Sequence, residues 1–469
     1  MMRLVRERFL CAVIGASLLT AGIGQDPAKP KTDPAKSAAP KPVRLDDALG
    51  TPDWLRISGE VRLREEWIDG QFRSATTLDH SDLVLLSRTI LRADLDFETV
   101  DARVELLDAR IFGEGTGSVV DATIVNPIDV LEAFIDIDLG KLGDGSHRLR
   151  LGRETVDLGT RRLIARNRYR NTINAFDAID WEWTGAEGQS LRMFWSLPVK
   201  RRPNDAASLR DHEVALDQQD LDQQFYGAYW TTELAEDTSL DVYLFGLDDR
   251  GQGVRRRSLW TPGLRVERKR ERGQSDYEVE VALQFGESQA SGAGPLLDHF
   301  AWFARASFGH TMDADWLPRF AVAIDYATGD SDPSDGDNGR FDTLYGARRF
   351  DYGPTALWGA VARSNLLSAE FRFESRPSKS VRTMAALRTV WLAAERDTWT
   401  TAGVRDQSGA ADSHVGEQLE VALDYELMPK NLRIILGGAY LWAGDFQGLA
   451  PNGRGRDTAY AFAEMTLSF

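Results

Sequence analysis

The sequence predicts an all-β fold: a transmembrane antiparallel β-barrel of about 18 strands, with long extracellular loops and short periplasmic turns. Three observations predict it. From Trp54 onward, apolar and polar residues alternate at period two, which places one set on each face of a strand. The connections between these segments alternate between long and short. The chain ends on an alternating segment whose last residue is Phe469.

The alternation is clear in several segments. Ile57, Gly59, Val61 and Leu63 interleave with Ser58, Glu60, Arg62 and Arg64, and Tyr277, Val279, Val281, Leu283 and Phe285 with Glu278, Glu280, Ala282 and Gln284. A soluble sandwich alternates too, so the connections decide. Strands are expected over 55–67, 82–98, 101–109, 130–139, 146–153, 176–184, 189–198, 223–233, 238–247, 258–268, 276–286, 299–310, 316–327, 364–375, 380–393, 417–427, 431–442 and 457–469. Connections after odd-numbered segments are mostly long, such as 154–175, 199–222 and 328–363, whereas those after even-numbered ones are short, such as 99–100, 234–237 and 428–430. A Greek-key sandwich gives no reason for that asymmetry, and a barrel with one loop end and one turn end does. In the last segment Ala459, Ala461, Ala463, Met465, Leu467 and Phe469 would face lipid, while Tyr460, Phe462, Glu464, Thr466 and Ser468 would face the lumen. The terminal Phe resembles the signal that the outer-membrane insertion machinery reads. Aromatics near strand ends (Trp181, Trp183, Trp230, Tyr243, Trp302, Trp316, Trp391, Tyr440 and Trp442) suit interfacial girdles.

Three parts follow along the chain: a signal peptide over 1–24, a Pro/Ala/Lys-rich periplasmic linker over 25–53, and the barrel over 54–469. Arg3, Arg6 and Arg8 precede an apolar run from Phe9 to Ile23, and small residues mark cleavage near Gly22 to Gln25. That run is too short to span a bilayer as a helix. The linker has no apolar period and reads as extended and semi-rigid. After signal cleavage, the expected destination is the outer membrane of a Gram-negative-type cell.

The 469 residues carry 56 Lys and Arg against 72 Asp and Glu, a formal charge of −16. An acidic chain is a poor partner for nucleic acid. Its 13 Trp, 11 Tyr and 21 Phe exclude a disordered chain. Mean hydropathy is −0.35, as a barrel with a wet lumen and long loops would give. The one cysteine, Cys11, lies in the signal region, which removes disulfides and Cys-ligated metals from the mature chain. Six histidines occur, with neither HExxH nor GxSxG spacing, so no enzyme activity and no cofactor are expected. The Asp-rich stretch 330–342 matches no EF-hand register and reads as a turn-rich loop, with loose calcium binding left open.

Basic residues cluster despite the acidic total. Arg148, Arg150, Arg153, Arg161, Arg162, Arg166, Arg168 and Arg170 face only Glu154 and Asp157 in their own stretch. Lumenal Arg or Lys selects anions; the same arginines could instead pair with lumenal acids or with lipopolysaccharide phosphates. A second cluster, Arg255 to Arg257 and Arg265 to Arg272, partly occupies a short turn, which favours pairing.

Two stretches carry a family resemblance. The stretch 152–181 (GRETVDLGTRRLIARNRYRNTINAFDAIDW) and the stretch 326–353 (YATGDSDPSDGDNGRFDTLYGARRFDYG) resemble the alginate export family of outer-membrane porins. The matching positions are Gly152, Arg153, Gly159, Arg162, Leu163, Asn171, Phe176 and Asp177, then Gly329, Asp330, Asp335, Gly336, Phe341, Leu344, Tyr345 and Gly353. Tyr169, Asn174 and Gly346 depart from the family pattern, which more commonly has Trp, Arg and Pro there. The resemblance implies a monomeric barrel through which an anionic polysaccharide diffuses passively past a basic constriction. On that basis Arg153, Arg161, Arg162 and Arg166 are candidate constriction residues, and Asp177 a candidate anchor for an arginine. Outer-membrane lipid, lipopolysaccharide, the anionic polysaccharide and a periplasmic export scaffold are the implied partners. The alternative function is a general or substrate-specific porin for uptake of small solutes. Glu60, Glu278, Glu280, Glu420 and Glu426 have lumenal parity and would oppose an anion preference.

Overall fold

The computed structural model describes residues 42–469 except 187, 252–254 and 293. The signal segment 1–24 and the first part of the linker lie outside the described residues. The strands are β1 (Leu55–Asp69), β2 (Ser81–Asp96), β3 (Val100–Phe112), β4 (Asn126–Leu142), β5 (Gly145–Glu154), β6 (Phe176–Thr184), β7 (Ser190–Pro198), β8 (Gln223–Ala235), β9 (Thr238–Asp249), β10 (Arg257–Arg268), β11 (Ser275–Gln289), β12 (Leu296–Thr311), β13 (Arg319–Ala327), β14 (Asp337–Asn338), β15 (Leu366–Ser378), β16 (Val381–Trp391), β17 (His414–Met428), β18 (Leu432–Ala443) and β19 (Thr458–Ser468). β14 is a two-residue strand lying parallel to Asp298 and His299 of β12. The other 18 form one antiparallel wall, closed where β1 pairs with β19 from Glu60 opposite Ser468 to Asp69 opposite Ala459. Closure leaves no strand edge unpaired, which is what permits a sheet to sit in lipid. The Phe469 and Gly59 backbones exchange hydrogen bonds of 2.9 and 3.0 Å at the seam, so the terminal residue completes the ring.

The wall has its apolar face outside. On β13, Phe320, Val322 and Ile324 are exposed while Arg319, Ala321, Ala323 and Asp325 are buried. On β2, Leu83, Leu85 and Leu91 point out and Val84, Leu86, Arg88 and Ile90 point in. On β19, Met465 and Leu467 are exposed, and Tyr460, Phe462 and Glu464 are buried, as the alternation predicts. No helix among the described residues is long and apolar enough to cross a membrane; the strands make the crossing. One aromatic reads differently from expectation. Tyr243 shares inward parity with Asp241 and Phe245, stacks on Tyr229 at 5.6 Å, and donates its hydroxyl to Glu280 at 2.9 Å, so it belongs to the interior and not to a girdle.

The described residues ahead of β1 are seated on the short-turn end of the barrel. A short helix over Leu45–Leu49 buries no side chain. Ahead of it the Val43 backbone is held from both sides by the Asn431 amide, at 2.9 and 2.8 Å.

Candidate functional site

Two long connections turn inward and cross the lumen. The β5–β6 connection, 155–175, is gathered by wall arginines on β1 and β2. Arg62 donates to the carbonyls of Arg168 and Arg170 at 3.0 Å each, Arg64 to that of Tyr169 at 2.7 Å, and Arg88 to that of Arg168 at 2.7 Å. Backbone taken out of water needs partners, and charged donors make strong ones. The Asn171 amide extends the anchor, donating to the carbonyls of Ser87, Arg110 and Ile124 at 2.9–3.1 Å. The β13–β15 connection, 328–365, enters from the opposite side. The two meet where the Tyr345 amide donates to Leu163 at 2.9 Å and the Ala347 amide to Arg161 at 2.8 Å.

The five residues expected at a constriction separate into three settings. Arg162 is 3% exposed and sits where the two connections meet, with Glu278 at 2.7 Å, Glu280 at 2.5 Å and Asp351 at 3.0 Å. Burial alone would raise the Asp351 carboxyl, but Arg162, Arg305 and Arg363 together hold it well below the usual carboxylate range. Arg166 is likewise buried, paired with Glu105 and with Glu132 at 2.9 Å. Arg153 and Asp177 lie opposite each other on β5 and β6 and pair at 2.7 Å. Arg153 also pairs in register with exposed Ala133, and Asp177 has the parity of Ile179, which is 52% exposed. That face is the outer one, so this pair does not line the lumen, and Asp177 anchors a wall arginine rather than one in the inward connection. Arg161 alone of the five is half-buried in the lumen with no carboxylate partner among the described residues; its guanidinium lies 3.7 Å from the centre of the Phe350 ring.

The lumenal glutamates expected to oppose an anion preference are paired with arginines. Glu60 pairs with Arg88 at 2.6 Å, Glu278 with Arg265 at 2.6 Å as well as with Arg162, Glu420 with Arg349 at 2.6 Å, and Glu426 with Arg382 at 3.0 Å. The second basic cluster is also paired: Arg257 with Asp249 and Asp342 at 3.1 Å each, Arg265 with Asp241 at 2.6 Å, and Arg270 with Glu374 at 2.8 Å.

Four other guanidinium groups are not neutralised in this way. Arg73 donates only to Gln71 and to carbonyls of 356–358, Arg348 to the Gly359 carbonyl at 3.2 Å, and Arg201 to the Ile173 carbonyl and the Asn174 side chain at 2.7 and 2.8 Å. Arg170 lies beside Arg201 and Arg348. All four are half-buried and none has an ion-pair partner among the described residues. Burial, and then the charges of Arg170, Arg73 and Arg363, hold the Arg348 guanidinium below its ordinary value, while Asp121 in the β3–β4 connection is the carboxylate that works the other way. The four come from four connections, 70–80, 155–175, 199–222 and 328–365. Only Arg170 belongs to the cluster visible in the sequence. Nothing local marks Arg73, Arg201 or Arg348; the path of the inward connections brings them together.

Comparison with known proteins agrees with this architecture. The family described as alginate export matches residues 53–463. Among curated protein sequences none matches the chain. Among solved structures, the chain is similar to Pseudomonas aeruginosa OpdK with vanillate, with a TM-score of 0.56 and 12% identity over 88% of this chain and 98% of that one. It is also similar to Pseudomonas aeruginosa OccK8 (OprE), at 0.54 and 11% over 88% and 98%, and to Pseudomonas aeruginosa OpdO, at 0.54 and 14% over 88% and 97%. At these identities the likeness is one of fold, that of an outer-membrane β-barrel.

Proposed function

The chain belongs to the alginate export family, and from that premise we propose that this outer-membrane channel passes an anionic polysaccharide outward by passive diffusion. One observation carries the reading: Arg73, Arg170, Arg201 and Arg348 bring charge into the lumen without an ion-pair partner among the described residues, while Glu60, Glu278, Glu280, Glu420 and Glu426 of the wall are already paired. A guanidinium suits a carboxylated sugar because its planar fork takes a carboxylate bidentately. Several such groups, each half-solvated, permit exchange from one to the next; a single tight site would arrest the chain. In this reading Arg161 joins the four as a contact for the sugar. Arg162 and Arg166 pin the inward connections and act on the substrate only by holding them. The long connections face the cell exterior among lipopolysaccharide, and the turns face the periplasm, where an export scaffold would deliver the polymer.

A second reading, uptake of small anionic solutes, is favoured by the two connections that cross the lumen and by the likeness to OpdK, whose structure was determined with vanillate. Efflux from proteoliposomes separates the two. Export of the polysaccharide class predicts release of uronic acid oligosaccharides of several sugar units well ahead of neutral oligosaccharides of the same length. Equal release of both, or release confined to monomeric carboxylates, contradicts it.

A further inference from the structure

A large apolar ring on one of the inward connections is left facing water. Phe350 belongs to the one-turn helix Arg349–Tyr352 of the inward β13–β15 connection, and it is 46% exposed although Asp351 and Tyr352 beside it are buried. Its backbone is not loose: Arg349 pairs with Glu420 at 2.6 Å, Arg372 donates to the Phe350 carbonyl at 3.3 Å, and the Tyr352 carbonyl accepts from Gln418 at 3.0 Å. The turn is held to the wall while its ring is presented to the pore.

The second member is Arg161, whose guanidinium carbon lies 3.7 Å from the Phe350 ring centre. Its backbone adopts φ +66°, in the left-handed region that a side chain-bearing residue seldom enters, and is fixed there by its amide to Leu158 and its carbonyl from Ala347, both at 2.8 Å. Two other arginines stacked in the lumen are neutralised: Arg64, over Tyr169, pairs with Glu66 at 2.7 Å, and Arg388, over Tyr352, pairs with Asp325 and Glu370 at 3.0 and 2.7 Å. Arg73, over Phe72 at 4.7 Å, is not neutralised among the described residues, but that ring is fully buried and offers no open face. Arg161 has an exposed ring and no acid among the described residues. A clamp between the two connections would not need an exposed ring, and an exposed cation–π contact holds little.

We infer that Phe350 and Arg161 form a sugar-binding step in the pore, at which a uronate ring lays its C–H face on the open surface of Phe350 while its carboxylate takes the Arg161 guanidinium. The chemistry is matched at both ends: a pyranose offers an apolar face that an aromatic ring covers, and its carboxylate accepts charge-assisted bonds from an arginine fork. The step rests on the proposed polysaccharide function and adds to it a contact that reads the sugar ring as well as its charge. It distinguishes a uronic acid chain from other polyanions of the same charge density.

Single-channel recording on the full protein in a planar bilayer tests it, with tetragalacturonate as the uronate probe and tetraglutamate as a charge-matched probe lacking sugar rings. The Phe350→Ala variant is expected to shorten tetragalacturonate blockades roughly tenfold, as loss of one ring-stacking contact implies, and to leave tetraglutamate blockades unchanged. Phe350→Leu, which keeps apolar bulk without an aromatic face, is expected to behave like Phe350→Ala, and Phe350→Trp to retain the long blockades. Arg161→Gln is expected to shorten both. If Phe350→Ala changes neither probe, or shortens both alike, the sugar-binding step is wrong while the polysaccharide function stands. An unmodified pore blocked by neither probe overturns both.

Discussion

Gly346 lies so close to Arg162 that a β-carbon on it would sit 1.7 Å from the Arg162 carbonyl oxygen. At this point the two inward connections cross, with Tyr345 and Ala347 bonded to Leu163 and Arg161 on either side. Only glycine allows the approach. The Gly346→Ala variant is expected to force the connections apart without opening the wall. Single-channel conductance should rise, while the barrel keeps its heat-modifiable migration on gels. Unchanged conductance would show that the crossing does not limit the pore.

Arg162 is the electrostatic pin of the same crossing. Arg265 would still face Glu278, and Arg305 and Arg363 would still face Asp351, but Glu280 would keep only the hydroxyls of Tyr243 at 2.9 Å and Thr160 at 3.3 Å. Leaving a buried carboxylate without its cation costs about 3 kcal/mol. Arg162→Met should therefore clearly lower the thermal unfolding midpoint in detergent, whereas Arg161→Met, which loses only an exposed ring contact, should leave that midpoint nearly unchanged.

The β7–β8 connection should respond to pH. Burial and the facing Asp129 carboxylate push the Asp217 carboxyl up from 3.8 to about 7. The Asn126 side chain at 2.9 Å and the Arg202 amide at 2.7 Å donate to it, and the Arg153 and Arg201 charges act on it through space from beyond ion-pair distance. Because its value is raised, the docked connection binds a proton that the undocked one releases. Docking is then strongest in acid and weakens as pH rises through about 7. Protection factors for hydrogen exchange across 199–222, taken relative to the intrinsic base-catalysed rate at each pH, should fall between pH 5 and pH 8, and Asp217→Asn should abolish that fall. An equal dependence in the variant would assign it to another group.

Much of the wall was legible because lipid on one side and water on the other impose period two on every strand. The same rule, applied strictly, separates Arg153 and Asp177 from the lumen, since Arg153 alternates in phase with Leu149 and Leu151, and Asp177 with Ile179. It also turns Tyr243 inward. The interior was less legible because ion pairing there is remote in sequence: Arg162 meets Glu278 across 116 residues and Asp351 across 189. A run of arginines in the sequence therefore says where positive charge is abundant, not where it is unopposed. Arg162 and Arg166 lie within the run and are neutralised, while Arg73, Arg201 and Arg348 lie outside it and are not.

The selectivity of the pore tests the lumenal arginines most directly. Reversal potentials across a potassium chloride gradient, measured on the reconstituted protein, should show chloride passing in preference to potassium. Replacing Arg73, Arg170, Arg201 and Arg348 together with glutamine should abolish that preference, whereas Arg153→Gln should leave it intact. A cation-selective unmodified pore, or an anion preference that survives the fourfold replacement, would contradict the assignment.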